Sequence, residues 1–460
     1  MNKYEVAIIG GGPGGYVAAI RAAKLGKSVA LIEAQELGGT CLNRGCIPSK
    51  TLLRHSEIIE NIEKAKSWGI ETGPVTFSFS KMLDRKNQVI QKLRTGIAFL
   101  LKQGKIDVYN GYGEVQADQD IVVKMNEKQE TISAEKIIIA TGSTPIIPPI
   151  PGMEHANYHT SDTIFNIEEI PESIVIIGGG IIGVEFACIF SSLNVSVTIV
   201  EMGDRITPNE DPEASKALTK ALKKKGVRVL TKTKVTGVDQ RGNQQAVQIE
   251  TSNGKQESLE TTTILLSVGR KPNTSSISQL NLQMDGPFVK VDNQMKTSHP
   301  SIYAVGDVVG GWQLAHVASQ EGIIAASNAA GEKETINYKV VPRCIYTSPE
   351  IASVGLTEDE AKQQGYSYKV VKVDLAGNGK ALAADEKEGF VKLIADTKYG
   401  EILGVTMVGP HVTEMIAEPS AFIHLEGTVD ELASMIHPHP ALSESLYEAA
   451  ASWLGKGIHH

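Results

Sequence analysis

The feature that most narrows the folds open to this chain is a pattern that occurs twice. "VAIIGGGPGGYVAAIRAAKLGKSVALIE" reads as an apolar strand, a glycine loop, a helix stopped by Gly26 and a second strand ending at Glu33. "IVIIGGGIIGVEF" and then "VSVTIVE" repeat that order and end at Glu201. Gly10, Gly12 and Gly15 satisfy GxGxxG in the first copy, and Gly178, Gly180 and Gly183 in the second. In both copies the acid follows the first glycine by 23 residues. One such motif in a chain with 44 glycines would carry little weight, but two in the same strand, loop, helix, strand, acid context carry a great deal. The glycines let backbone N–H groups and a helix N-terminus approach a pyrophosphate, and the carboxylate accepts hydrogen bonds from ribose hydroxyls. Two Rossmann-like α/β units, each for one dinucleotide, are the expectation.

The repetition continues. "KIIIATGSTP" and "TILLSVGRKP" each place an apolar strand before a glycine, Gly142 and Gly269, with proline three residues on. From first glycine to this later one is 132 residues in the first copy and 91 in the second, so the first carries an insertion, and it contains Cys41 and Cys46. Glu201 would repel a 2′-phosphate, and "MGDRI" after it offers only Arg205, so NAD is expected rather than NADP. A third strand-like segment, "SIYAVGD", ends in Asp307 and leads into a loop and helix; in a protein with two dinucleotides, such an acid is a candidate to hold a flavin's polyol chain.

At 460 residues, with roughly 150 per domain, about three domains are expected. The 41% hydrophobic and 21% charged content is that of an ordinary soluble globular chain. No apolar run reaches the roughly 18 residues of a membrane span, and a strand begins at Tyr4 with no room for a signal peptide, so the cytoplasm is the expected location. A net charge of -8 gives no footprint for nucleic acid, and the basic run from Lys220 to Lys234 reads as a solvated face. No His, Cys, Asp or Glu cluster has metal-ligand spacing. From Lys339 on, "GFVKLIAD" and "EILGVTMVG" read as neighbouring strands, with helices around residues 413–426 and 442–454. This is a separate α+β domain of the kind that makes oligomer interfaces.

Four cysteines are the usage of a reducing compartment, where a disulfide is more often catalytic than structural. Cys188 and Cys344 stand singly among apolar residues and read as small buried hydrophobes. Cys41 and Cys46 are near neighbours, and "CIPSKTLLRHSEIIENI" reads as a helix whose positive end, with Lys50, would favour a thiolate. Far downstream, "HPHPALSESL" offers His439 as a candidate base that Glu444 can orient, although a histidine in a His-Pro turn taken alone reads as structural. His437 reads either as a supporting residue or as an ordinary turn residue. His459 and His460 read as a disordered tail rather than as ligands.

"GGTCLNRGCIPSK", both glycine loops, "ATGS", "YAVGDV", "LAHVA", "PEIASVGLTE" and "HPHPALSE" together resemble the FAD-dependent pyridine nucleotide disulfide oxidoreductases over nearly the whole chain. The resemblance implies an FAD-binding domain over 1–148, an NAD-binding domain over 149–272, a central domain over 273–338 completing the FAD site, and an interface domain over 339–460 in a homodimer. It implies that Cys41 and Cys46 form the redox disulfide, Cys41 exchanging with substrate and Cys46 packing on the flavin. Lys50 would lie by the flavin in an ion pair with Glu185, and His439 with Glu444 would serve the other subunit's disulfide. The implied cofactor contacts extend to Thr40, Gly113, Thr141, Ser143 and Ala315 for FAD, and to Val235 for NAD. The implied substrate is a dihydrolipoyl group on a carrier protein domain, in a 2-oxoacid dehydrogenase or glycine cleavage system, with an acyltransferase core as partner. Ala441 departs from the family's usual threonine after "HP", which puts the geometry of that turn in question. Within the family, glutathione reductase is disfavoured by Glu201, mercuric reductase and large thioredoxin reductases by a C-terminus without a cysteine pair, and a disulfide-free transhydrogenase by Cys41. The alternative of another class is a non-catalytic flavin scaffold or redox sensor.

Overall fold

In the computed structural model, which describes residues 1–126, 128–242 and 244–459, the two glycine-loop repeats become two separate parallel sheets. The first runs Asp107–Asn110, Val29–Glu33, Asn2–Ile9, Gln129–Ile139, with Ile302–Ala304 also pairing with Gln129–Ile139. An antiparallel extension, Ile121–Lys124 and Tyr112–Val115, follows. Val29–Glu33 is buried at every position, because a parallel sheet covered on both faces needs a continuous apolar strand rather than an alternating one. Helix α1 (Pro13–Lys24) follows the first glycine loop; α2 (Gly39–Arg44), α3 (Cys46–Lys64) and α4 (Phe79–Gln103) fill the insertion.

The second sheet runs Arg228–Leu230, Ser196–Val200, Ser173–Ile177, Thr263–Leu266, Tyr158–Thr160, all parallel, and carries a three-stranded antiparallel sheet over residues 233–261. Its first helix, α5 (Ile181–Ser192), is buried continuously from Gly183 to Phe190. Such a helix must be covered on all sides. Leu52 and Ile59 of α3, Met82 of α4 and Ile345, Phe390 and Val408 from the C-terminal region share one apolar cluster with its Phe186 and Phe190. The later glycine motifs of the two repeats meet directly, Ser143–Pro145 pairing antiparallel with Arg270–Pro272.

The C-terminal region forms an antiparallel sheet, Arg343–Ile345, Glu350–Gly355, Ile402–Gly409, Phe390–Asp396, Tyr368–Asp374. Helices Ala417–His424 and Glu444–Trp453 contribute Ile423, Leu446, Ala449 and Ala450 to its core, which buries every residue of Ile402–Gly409.

Cys188 is buried as expected, at 2% exposure. Cys344 is not: on the edge strand Arg343–Ile345 it is only half-buried, its sulfur 3.9 Å from the Thr413 carbonyl, because an edge strand lacks a neighbour on one side. His459 does not form a free tail either. Its N–H donates to Glu448 Oε1 at 2.7 Å, as does that of Ile458; His460 lies outside the described residues. Among the described residues no helix is long and apolar enough to cross a membrane, and no group of three or more His, Cys, Asp and Glu could hold a metal ion.

Candidate active site

The glycine loops are built to leave space. A Cβ on Gly15 would fall 1.8 Å from the Gly10 carbonyl oxygen, and one on Gly183 would fall 2.1 Å from that of Gly178, so helix and strand approach as closely as backbone allows. At Gly12, by contrast, only the Gly39 Cα comes within 4 Å of the added atom, and at Gly180 and Gly142 nothing does. Gly12 caps α1 and Gly180 caps α5, neither with a side-chain acceptor, so the first-turn N–H groups, of which Pro13 supplies none, are left without a capping side chain. This is a fitting cradle for a pyrophosphate in each repeat.

Glu33 and Glu201 do something the sequence does not announce. Glu33 accepts from Gly11 N at 2.6 Å and Gln35 N at 2.7 Å, and Glu201 accepts from Gly179 N and Gly203 N, both at 2.6 Å. Each carboxylate thus braces its own glycine loop, and an oxygen with about two acceptor sites retains one for a ribose hydroxyl.

Asp307 lies in the turn after strand Ile302–Ala304 and accepts from Ser143 Oγ. Ser143 is in turn gripped by Arg270, whose Nε reaches its Oγ and Nη2 its carbonyl, both at 2.8 Å, while Nη1 meets Asp162 at 2.9 Å. Arg270 was missed in the sequence; its only signal is its place after Gly269, in the motif paralogous to that of Ser143. Thr141 donates to the Asn273 carbonyl at 2.6 Å, and Gly269 accepts from Ile146 N at 3.0 Å. Ala315 opens helix Ala315–Ala329, and Thr40 sits in α2 beside Cys41. Gly113 lies where a Cβ would come within 3.0 Å of Ile32 Cγ2. Val235 is buried in the apolar cluster of the second sheet with Ile177 and Val200.

Cys41 lies in α2 and Cys46 is the first residue of α3, the break between them being Gly45. Both are thiols in this structure. They do not titrate alike. The Cys41 thiol donates to the Cys46 sulfur, and that hydrogen bond, together with burial, pushes the Cys41 ionisation far up. The same hydrogen bond pulls Cys46 down to about 7, burial opposing it and the Lys50 charge assisting. Lys50, one turn along α3, sits 2.9 Å from both oxygens of Glu185, which α5 holds at 5% side-chain exposure. The expected pair is therefore present. Tyr16 of α1 faces the same centre: burial first, and its proximity to Cys41 second, push its phenol up.

His439 Nδ1 lies 2.8 Å from Glu444 Oε1, and Glu444 Oε2 accepts from Ala441 N at 2.9 Å. Ala441 thus keeps a backbone contact within the turn despite the missing threonine side chain. Burial pushes the Glu444 carboxyl up, but the Ala441 N–H and the His439 ring outweigh it and hold the group below its ordinary value. The imidazole is 77% exposed, so its other nitrogen is presented at the protein surface. His437 is the opposite: 4% exposed, it bridges Glu418 at 2.8 Å and the Met435 carbonyl at 3.2 Å, a turn-holding residue.

The chain matches the model of the pyridine nucleotide-disulphide oxidoreductases over residues 4–322 and that family's dimerisation domain over 341–450. Two relatives from Bacillus subtilis, each a dihydrolipoyl dehydrogenase, are 44% and 40% identical, the first spanning 100% of this chain and 99% of its own length, the second 99% of each. One from Mycobacterium tuberculosis with the same description is 40% identical over 100% of both chains. Among solved structures, LpdA from Mycobacterium tuberculosis superposes with a TM-score of 0.89 at 27% identity, covering 98% of this chain and 100% of that one. The HOCl-induced flavoprotein disulfide reductase RclA from Escherichia coli gives 0.86 at 29% identity, covering 97% and 99%. Matched by the family's two models over most of its length and by full-length relatives, the chain belongs to the pyridine nucleotide-disulphide oxidoreductase family and is an oxidoreductase.

Proposed function

We propose that this chain is a dihydrolipoyl dehydrogenase, oxidising protein-bound dihydrolipoyl groups and passing the electrons to NAD. The observation that carries the reading is the cysteine pair itself, Cys41 in α2 and Cys46 opening α3 across Gly45, with the Lys50–Glu185 pair one turn along α3. The names and full-length similarity of the curated relatives support the substrate class.

FAD would be held by Gly10, Gly12, Gly15, Glu33, Thr40, Lys50, Gly113, Thr141, Gly142, Ser143, Asp307 and Ala315. NAD would be held by Gly178, Gly180, Gly183, Glu185, Glu201, Val235 and Gly269. When bound, the flavin supplies a two-electron carrier between the dithiol and NAD. The chain's own residues do the rest. His439, oriented by Glu444, takes the proton from a substrate thiol, and in a homodimer the His439 of one protomer serves the cysteines of its partner. The resulting thiolate attacks Cys41 Sγ in the oxidised enzyme: a substrate–Cys41 bond forms, the Cys41–Cys46 bond breaks, and Cys46 leaves as a thiolate stabilised by Lys50. The second substrate sulfur attacks the first: the substrate disulfide forms, the substrate–Cys41 bond breaks, and Cys41 is the leaving group. The second sulfur's proton returns Cys41 to the thiol. The net change is one dihydrolipoyl group and one NAD converted to one lipoyl group, one NADH and one proton.

Flavin-loaded protein supplied with free dihydrolipoamide will reduce NAD much faster than NADP. Failure to reduce NAD, with turnover of glutathione disulfide by NADPH instead, overturns the proposal.

A further inference from the structure

Lys50 has a second partner besides Glu185, and it comes from a different sheet. Tyr346, immediately after the edge strand Arg343–Ile345, places its ring centroid 4.5 Å from Lys50 Nζ. Its backbone N–H donates to Glu185 Oε1 at 3.1 Å. The first glycine-loop unit therefore supplies the cation, the second supplies its carboxylate, and the C-terminal sheet supplies both an aromatic face for the one and a donor for the other. A ring face attracts an ammonium through its quadrupole, most strongly where water is partly excluded, and Lys50 is 31% exposed here. The phenol itself stays neutral through the working range, since burial, followed by Cys344 and Glu185, pushes it up to about 12. The ring therefore keeps its attraction for the cation and brings no charge of its own.

We infer that Tyr346 is a positioning residue for the thiol pair: its ring on Lys50 and its amide on Glu185 fix the cation that stabilises Cys46 as a thiolate, so the C-terminal sheet tunes the redox centre of its own protomer. The inference rests on the redox reading proposed above. The groups facing this centre are Tyr16 from α1, Cys41 from α2, Cys46 and Lys50 from α3, Glu185 from α5, and Cys344 and Tyr346 from the C-terminal sheet, with Glu350 and Glu414 also acting on the last two. Burial pushes Cys344 up to about 11, so it adds no charge near neutrality. Besides the hydrogen bond with Cys41, the charges acting on Cys46 are Lys50, which favours the thiolate, and Glu185, which opposes it, and Tyr346 contacts both. Weakening its ring loosens Lys50, and the thiolate midpoint moves to higher pH.

The test is the pH midpoint of the long-wavelength thiolate-to-flavin absorbance in the flavin-loaded, two-electron-reduced protein, with bound flavin measured in parallel. Tyr346→Phe will leave the midpoint in place. Tyr346→Leu, and pentafluorophenylalanine introduced at position 346, will raise it by about half a pH unit with flavin content unchanged. The fluorinated ring keeps the shape of phenylalanine while reversing the face's polarity, so it decides the matter even if the leucine variant folds poorly. A midpoint indifferent to the fluorinated ring overturns the role of Tyr346 alone. A wild-type protein without the absorbance overturns the redox reading and this inference with it.

Discussion

Cys41 and Cys46 lie in successive helices parted only at Gly45, yet their surroundings give them different protonation. Cys46, with its midpoint drawn to about 7, is mainly thiolate above that pH and mainly thiol below it, whereas Cys41 remains a thiol. The thiolate-to-flavin absorbance of reduced protein will accordingly grow through neutrality and fade on acidification. Cys46→Ser will abolish it while bound flavin, measured by its own spectrum, stays; Cys41→Ser will retain it yet stop turnover with a dithiol. His439→Gln will lower the steady-state rate by roughly 100- to 10,000-fold, the range of a lost general base, without touching flavin content or the absorbance band. These residues were legible in the sequence because each lies in a short motif with its own chemistry. Tyr346 and Arg270 were not, because their roles depend on partners more than a hundred positions away and leave no local pattern.

At the level of elements, α4 is tied to the second repeat by a buried amine. Lys86 Nζ donates to the Phe165 carbonyl at 2.8 Å and lies 5.8 Å from the Phe165 ring centre, and burial holds its ionisation below the usual lysine value. Between that lowered value and the ordinary one, the folded chain binds fewer protons than the unfolded chain, so this site makes stability rise with pH in the alkaline range. Lys86→Met will remove that rise, as thermal unfolding followed at increasing pH will show. The parallel strands, the glycine loops and the strands Phe390–Asp396 and Ile402–Gly409 were all legible from apolar runs between turn residues. The pairing of Ser143–Pro145 with Arg270–Pro272 was not: two three-residue strands carry no periodicity, and only the folded chain brings the repeats face to face.

Across the whole molecule, the second and C-terminal sheets are joined by buried charge. Lys392, 8% exposed, lies 2.9 Å from Asp211, 3.2 Å from Glu213 and 3.3 Å from Glu358. Glu210 meets Arg343 at 3.4 Å and accepts from Ser353 at 2.5 Å. Lys392→Met leaves Asp211 buried without its cation and will destabilise the protein by about 3–5 kcal/mol, read from denaturant unfolding. Lys392→Met combined with Asp211→Asn will recover part of that loss. The division into nucleotide-type units and an appended α+β region could be read from the chain, but this junction could not, since isolated charges read as surface. The acids that close the two glycine motifs extend the same lesson to ligand choice. Glu201, like Glu33, clasps one amide of its glycine loop and one of the turn just after its own strand, so the group expected to turn away a 2′-phosphate also ties that loop to that turn. Replacing it with a small neutral residue would relieve the repulsion and slacken the pocket in the same stroke. On the NAD reading proposed above, a change at Glu201 alone will weaken binding of both nicotinamide cofactors, and a switch to the phosphorylated one will need a second change that restores the lost brace.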